Sequence, residues 1–585
     1  MKDAQVFSQI WQAINKKNLE LAERLLISAQ KNFGEEAEFF FAKGMLEILK
    51  GSDKKTVALP LLKKAYDKGF ENDVGFLRIY SILLRDLNFR SDALCVLQKI
   101  ITIEPENIEV LNDIGNIFRV MGNPISSANV FKLILKINPD WPHVYNNMAL
   151  AFSNACLYKD AYAAYKKALV LNPKNENFAS NLVSFSNYIE ISREECFVYY
   201  QKYRNIFEGE SVVQRSVFPA TDKIKLGFIS ADFCNHSVSY FVRGFFKNYD
   251  KGKFEIHLFA HVRVLDNISK EFKGYVHSWH DVTNMNHLQI ADLIKEEKIS
   301  VFFDLSGHTG NNSLNVFGLR PAPLQVTYCG YPNTTGLKSI DYRITDDVSE
   351  PTDAQNFHSE KLYKIDDCFL CYSPILPFAS CDFRSFENRE IVFGSFNNPT
   401  KYTDKTVKLW ARVVNSVPNA KLFLKYRSFN DPALCQSMLS RFAEFGLDKE
   451  KIIFRGLTVG IVEKHLMQYA NMDIALDCFP YNGTTTTCEA LLMGVPVITI
   501  LGDRHVSRVS ASILTAVGHP EFIAKDEDDF VEISKNLASD TKKLLEIKQN
   551  LREKMLNSVL CDQIGFTKKF ENAILNMIDE VKKEG

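Results

Sequence analysis

Residues 1–21 set apolar side chains among polar ones at helical spacing, and the same rhythm runs through the first third of the chain. Pro105, Pro139 and Pro173 stand 34 residues apart, the period of a helical hairpin that stacks on copies of itself. Interior positions keep that register. Small residues fall at Gly115 and Ala149 and at Ala93 and Ala161; bulky ones fall at Leu77, Leu111 and Tyr145 and at Leu97, Phe131 and Tyr165. Small side chains let neighbouring helices approach, and large ones fill the grooves between stacked pairs. Degenerate earlier copies around Ala22–Leu26 and Leu61–Ala65 bring the expected total to about five repeats within 1–180.

From Lys223 the pattern switches to short apolar runs rich in β-formers, separated by helical stretches, the form of a parallel sheet covered by helices. Strands are expected at 225–230, 255–260, 300–305 and 325–328, then at 391–396, 421–425, 451–454, 473–476 and 496–500. The stretch 375–389 holds prolines and no regular period, so a boundary is expected there. This divides the chain into a repeat arm (1–180), linker helices (181–222), a first lobe (223–380) and a second lobe (381–585). Ligands of two doubly wound lobes bind at the carboxyl ends of strands, here the cleft between the lobes. An amphipathic helix at 566–583 is expected to pack back across the boundary.

Composition narrows the class. A chain of 585 residues exceeds a single core, and 46% hydrophobic with 24% charged residues is ordinary globular usage. No run approaches the roughly 20 apolar residues of a membrane span. The first 21 residues lack the continuous apolar core of a secretory signal, so a cytoplasmic location is expected. A net charge of -1 argues for neither a nucleic-acid nor a membrane partner. The twelve cysteines are scattered, and the closest pair, Cys368 and Cys371, reads as buried thiols in a reducing compartment.

The strongest chemical tract is DIALDCFPYNGTTTTCEALLMGVPVIT, residues 473–499. An apolar strand is expected to end at Phe479, and the turn through Asn482 and Gly483 leads to Thr484, Thr485, Thr486 and Thr487 opening a helix. A helix start offers unpaired N–H groups and partial positive charge, and threonine hydroxyls add donors, which suits a diphosphate. One threonine would suffice for capping alone. Glu489, in the first turns, either accepts hydrogen bonds from a ribose or sugar hydroxyl or sits solvated; His465 either stacks on a nucleobase or lies on the surface.

In GSFNNPTKYTD a strand leads into Asn397, Asn398 and Lys401. A lysine there, beside a phosphate-binding helix, neutralises charge gathering on a departing nucleoside diphosphate. In the first lobe His236 opens a helix; it touches the acceptor, shuttles a proton, or merely caps that helix. Further on, His308, Asn311, Arg320, Tyr331 and the loop 332–336, with Thr334 and Thr335, are expected at strand ends lining the cleft. No paired carboxylates show the spacing that would hold a divalent ion for the donor, so neither metal nor cofactor is expected.

The segments DFCNHSVSYF, GLRPAPLQVTYCGYPNTTG, DYRITD, DDCFLCY, FGSFNN and FPYNGTTTTCEALLMGVP, in this order, resemble the SPINDLY and O-linked N-acetylglucosamine transferase family, and most closely its SPINDLY-type members. The resemblance implies an α-helical tetratricopeptide-repeat solenoid followed by an α/β GT-B glycosyltransferase of two Rossmann-like lobes. It implies an inverting transfer from GDP-fucose or UDP-N-acetylglucosamine to Ser or Thr of proteins gripped by the repeats, with a homodimer through the repeats as a further expectation. Lys401 matches the essential lysine, Thr485 and Thr486 phosphate ligands, and His465 a residue against the base. His236 matches a proposed general base and Arg320 an arginine of the donor–acceptor cleft. Thr484 replaces the histidine typical of the N-acetylglucosamine transferases, Glu489 an aspartate that contacts ribose, and Gln468 an arginine beside the base. A decayed scaffold, or the same fold acting on Asn or a small molecule, are the alternatives.

Overall fold

The computed structural model describes residues 2–51, 54–210, 213–374, 389–458 and 462–584. Two compact units emerge, one running to Val144 apart from Gly122–Ile125 and taking in Arg263–Leu265, the other holding the rest. The expected lobe boundary within 375–389 lies almost wholly outside the described residues.

In the first unit, successive helices pair as Lys2–Asn15 with Leu19–Phe33, Ala37–Lys50 with Lys55–Ala65, Val74–Asp86 with Arg90–Ile103, and Ile108–Met121 with Pro124–Ile137, the last of these from Ser126 onward. Pro105 and Pro139 each follow a helix end by two residues, where a missing N–H costs nothing. Gly115 shows why the small slot stays small: a Cβ there would meet the Phe131 ring at 2.6 Å. The fifth pair, Pro142–Asn154 and Tyr158–Leu171, belongs to the second unit from Tyr145 onward. Its turn is bonded to the second lobe: Cys156 Sγ lies 3.0 Å from the Pro399 carbonyl, and the Tyr158 hydroxyl donates to the Thr400 carbonyl at 3.0 Å.

The second unit contains two all-parallel sheets. The first has seven strands in the order β3-β2-β1-β4-β5-β6-β7: β1 (Ile224–Ser230), β2 (Phe254–Ala260), β3 (Ser278–Asp281), β4 (Val301–Asp304), β5 (Leu324–Thr327), β6 (Tyr342–Thr345) and β7 (Lys361–Lys364). The second has six in the order β10-β9-β8-β11-β12-β13: β8 (Val392–Ser395), β9 (Lys421–Lys425), β10 (Ile452–Arg455), β11 (Ile474–Leu476), β12 (Val497–Ile500) and β13 (Ile523–Ala524). All nine expected strands are present. The four unexpected ones lie at or near sheet edges. β11 stops at Leu476, not Phe479, because Asp477 turns its carboxylate into the following loop.

The helix Gln563–Glu584 follows the second lobe yet packs on the first. Phe570 sits 4.7 Å from Phe245 and 5.0 Å from Tyr328, and the Glu571 carboxylate accepts the Asp250 N–H at 2.6 Å. Cys368 and Cys371 are buried, and burial pushes both thiols upward. Among the described residues no helix is long and apolar enough to cross a membrane.

Candidate active site

A cavity of about 280 Å³ opens between the carboxyl ends of the two sheets. Second-lobe walls come from Asn397, Asn398, Lys401, Tyr481 and Thr484 to Thr486, and first-lobe walls from His236, Gly330 and Pro332.

Lys401 closes the 3-10 turn Pro399–Lys401, separated from the end of β8 by three residues, with Asn398 as its cap through a bond from the Thr400 N–H at 3.1 Å. Its ammonium donates to the Asn482 carbonyl at 2.6 Å and to Asn397 Oδ1 at 3.2 Å, and it lies 4.3 Å from the Tyr481 ring centre. Burial holds its pKa below the ordinary lysine value. An ammonium so poorly hydrated gains strongly from an anion arriving beside it.

The turn before the threonine helix is anchored from below. Asp477 Oδ1 accepts the Gly483 N–H at 2.7 Å and the Cys478 N–H at 2.8 Å, while Oδ2 accepts the Thr499 hydroxyl at 2.8 Å. The first lobe repeats the device, for Asp304 accepts the N–H groups of Ser306 and Gly307 and the Thr327 hydroxyl. The helix Thr485–Leu492 then starts at Thr484, whose side chain makes no capping bond. A helix start of this kind can receive an anion on its first amides. Thr486 Oγ1 donates to Asn397 Oδ1 at 3.1 Å, tying the tract to the lysine turn, and Thr487 turns inward to Ser510 at 2.9 Å.

His465 and Glu489 meet directly. Lys425 Nζ donates to His465 Nδ1 at 2.7 Å, so that nitrogen is the acceptor and the opposite one carries hydrogen, which points to Glu489 Oε2 at 3.2 Å. The Tyr469 hydroxyl donates to the same oxygen at 3.0 Å. Burial pushes Lys425 down to about 8. His236 caps its helix, Nδ1 receiving the Val238 N–H at 3.4 Å, and its half-exposed ring edges the cavity.

Of the first-lobe residues expected to line the cleft, Pro332 lines the cavity; Asn311 and the five residues His308, Arg320, Tyr331, Thr334 and Thr335 do not. His308 is bound between Ser180 Oγ at 3.1 Å and the Thr335 carbonyl at 2.8 Å. Arg320 pairs with Asp341 at 2.5 Å; the Tyr331 hydroxyl meets Tyr200 at 2.7 Å and Asn187 at 2.8 Å; Thr334 and Thr335 both hold Glu360. These five are buried, and apart from the Arg320 Nε their side-chain polar groups bond to the framework. Cys329, Gly330 and Pro332 from the same stretch do reach the cavity, and the backbone packs tightly there: a Cβ on Gly330 would fall 1.7 Å from the Leu305 carbonyl oxygen.

Sequence reasoning missed Tyr426 and His505 on the cavity wall. His505 follows β12, a strand end like the others, and its Nδ1 lies 2.7 Å from Glu350 of the first lobe. Burial pushes Glu350 upward, but His505, His358 and Arg343 together hold it down at about 2.

Comparison with known proteins accords with this geometry. The family model described as Glycosyl transferase family 41 matches residues 191–374 and 375–570. A rice (Oryza sativa subsp. japonica) protein named probable UDP-N-acetylglucosamine–peptide N-acetylglucosaminyltransferase SPINDLY is 37% identical over 430 residues, covering 71% of this chain and 46% of its own. The Arabidopsis thaliana protein of the same name is 40% identical over 360 residues, 60% of this chain and 39% of its own. This chain thus spans less than half the length of these relatives. A mutant of the Thermobaculum terrenum O-GlcNAc transferase superposes with a TM-score of 0.81 at 23% identity, covering 87% of this chain and 98% of that one, which establishes a shared fold.

Proposed function

The chain belongs to glycosyl transferase family 41, and on that premise we propose that it transfers a sugar from a nucleotide-sugar donor to a Ser or Thr hydroxyl of a protein. The observation that carries this reading is the convergence of Lys401 and the uncapped start of the threonine helix on one cavity. A diphosphate seated there meets an ammonium and several N–H groups at once, so negative charge developing on it is stabilised where it forms.

The reaction is an inverting displacement. The acceptor oxygen attacks the anomeric carbon, the bond from that carbon to the diphosphate oxygen breaks, and the electron pair leaves with the diphosphate. The hydroxyl proton passes to His236 or to water. Lys401 and the helix amides supply the electrostatic work, so the transfer is metal-independent. The names of the rice and Arabidopsis relatives favour UDP-N-acetylglucosamine; Thr484 in place of histidine favours GDP-fucose. The protein acceptor engages the repeats, and the enzyme acts in the cytosol.

Incubation of the purified chain with each donor, reading nucleoside diphosphate release and the mass of acceptor peptides, tests the proposal. One of the two donors is expected to turn over. Lys401→Met is expected to lower kcat about 10²- to 10³-fold, with melting temperature reporting that the fold persists. A scaffold that has lost catalysis would bind neither GDP nor UDP, and that result, or full activity in Lys401→Met, overturns the reading.

A further inference from the structure

Away from the cavity, the edge of the first sheet gathers three histidines and two glutamates. Glu255, His257 and Phe259 share one face of β2 by strand alternation, and His280 of β3 stands directly across from Phe259. The His280 ring is stacked 4.8 Å from Phe259 and 5.7 Å from His257, at interplanar angles of 15° and 6°. The helix His287–Glu296 ends against this face, and Glu297 just beyond it brings a carboxylate to the same point.

The spacing is that of a coordination polyhedron. His257 Nδ1 lies 3.4 Å from His280 Nε2 and 3.5 Å from Glu297 Oε2, and His280 Nε2 lies 3.9 Å from Glu297 Oε1. Ligands about 2.0–2.1 Å from a tetrahedral ion stand about 3.3–3.4 Å apart. We propose that His257 Nδ1, His280 Nε2 and the Glu297 carboxylate bind a divalent cation of zinc's type, leaving a fourth position for water.

Other features of the cluster fit the same ion. His257 is 2% exposed, and its Nε2 has no hydrogen-bond partner. With Nδ1 on the metal, Nε2 must carry hydrogen, and it faces Glu255 Oε2 at 4.0 Å, the carboxylate that commonly steadies a ligating histidine from behind. Burial, with Lys225 and the other histidines adding, pushes His257 down to about 3, and burial also lowers His280. An imidazole nitrogen without its hydrogen is the form that ligates a divalent cation. Nitrogen and carboxylate donors in a four-coordinate arrangement favour zinc over magnesium or calcium. The alternative group, Glu255, His257 and His277, is longer at 3.9–4.0 Å and includes a half-exposed His277. The ion would pin edge strand β3 to β2 and to the end of the helix.

The test uses the full, untagged chain stripped with chelator. Titration with Co²⁺ is expected to give the visible absorption of four-coordinate cobalt at one equivalent, bleached by Zn²⁺. Calorimetry with Zn²⁺ is expected to show affinity falling at least about 100-fold in His280→Asn and in Glu297→Gln, about tenfold in Glu255→Gln, and under about threefold in His277→Asn. Glu297 is partly exposed at a helix end, so its variant is expected to fold even if a histidine variant does not. No cobalt band and no zinc heat in the wild type overturns the site, as does retention of zinc by Glu297→Gln with loss in His277→Asn.

Discussion

His308 separates a structural histidine from a catalytic one. Burial holds it neutral, with a pKa of about 4 against an ordinary 6.5. A lowered folded value means that the unfolded chain binds the extra proton first. Stability from this group is thus complete above about pH 6.5 and is lost as pH falls through 4. The amount at stake is roughly 3 kcal/mol. His308→Gln is expected to be less stable than wild type at pH 7, and the gap is expected to narrow steadily toward pH 4 in urea midpoints. Turnover at pH 7 is expected to stay within a few-fold. A gap that holds constant with pH, or a collapse of kcat with stability intact, would return His308 to the active site.

At the scale of the element, the threonine helix depends on a glycine before it. A Cβ on Gly483 would come 2.5 Å from Thr487 Oγ1 and 2.7 Å from Thr486 Oγ1, and its N–H is committed to Asp477. Gly483→Ala therefore has to push both hydroxyls aside, a crowding of about 1–3 kcal/mol. Weaker nucleoside diphosphate binding by about tenfold is expected in calorimetry, with a modest fall in melting temperature; unchanged affinity would mean that the tract does not contact the phosphates. This element was legible beforehand because helix start, turn and hydroxyls are all local in sequence. β6 was not, since Arg343 interrupts its apolar run; the structure buries that guanidinium against the Asn333 and Tyr331 carbonyls. β3 reads as polar because it is an edge strand that carries His280. The five misplaced residues of the first lobe fail for a related reason. Sequence places them at strand ends, but whether a side chain points to the cleft or to Glu360, Asp341 and Tyr200 is decided by partners distant in the chain.

The two lobes are joined more firmly than their covalent order requires, because the last helix leaves the second lobe and completes the core of the first. Phe570 is 1% exposed among Phe245, Phe303 and Tyr328, and the Tyr342 hydroxyl of β6 donates to Glu580 at 2.8 Å. Truncating such a side chain removes apolar contact and leaves a void, at about 3–5 kcal/mol. The cavity walls proposed to bind the phosphates, however, belong to the second lobe, whereas His236 and Gly330 come from the first. Phe570→Ala is therefore expected to act unequally. Amide exchange should rise together in Ser237–Asn248 and in Gln563–Glu584 as the helix loosens from its seat. Nucleoside diphosphate affinity should change less than about threefold, while turnover, which needs both walls, should fall further. Unchanged exchange in Ser237–Asn248 would show that the first lobe closes its core without this helix, and an equal loss of affinity and turnover would show that the lobes respond as one body.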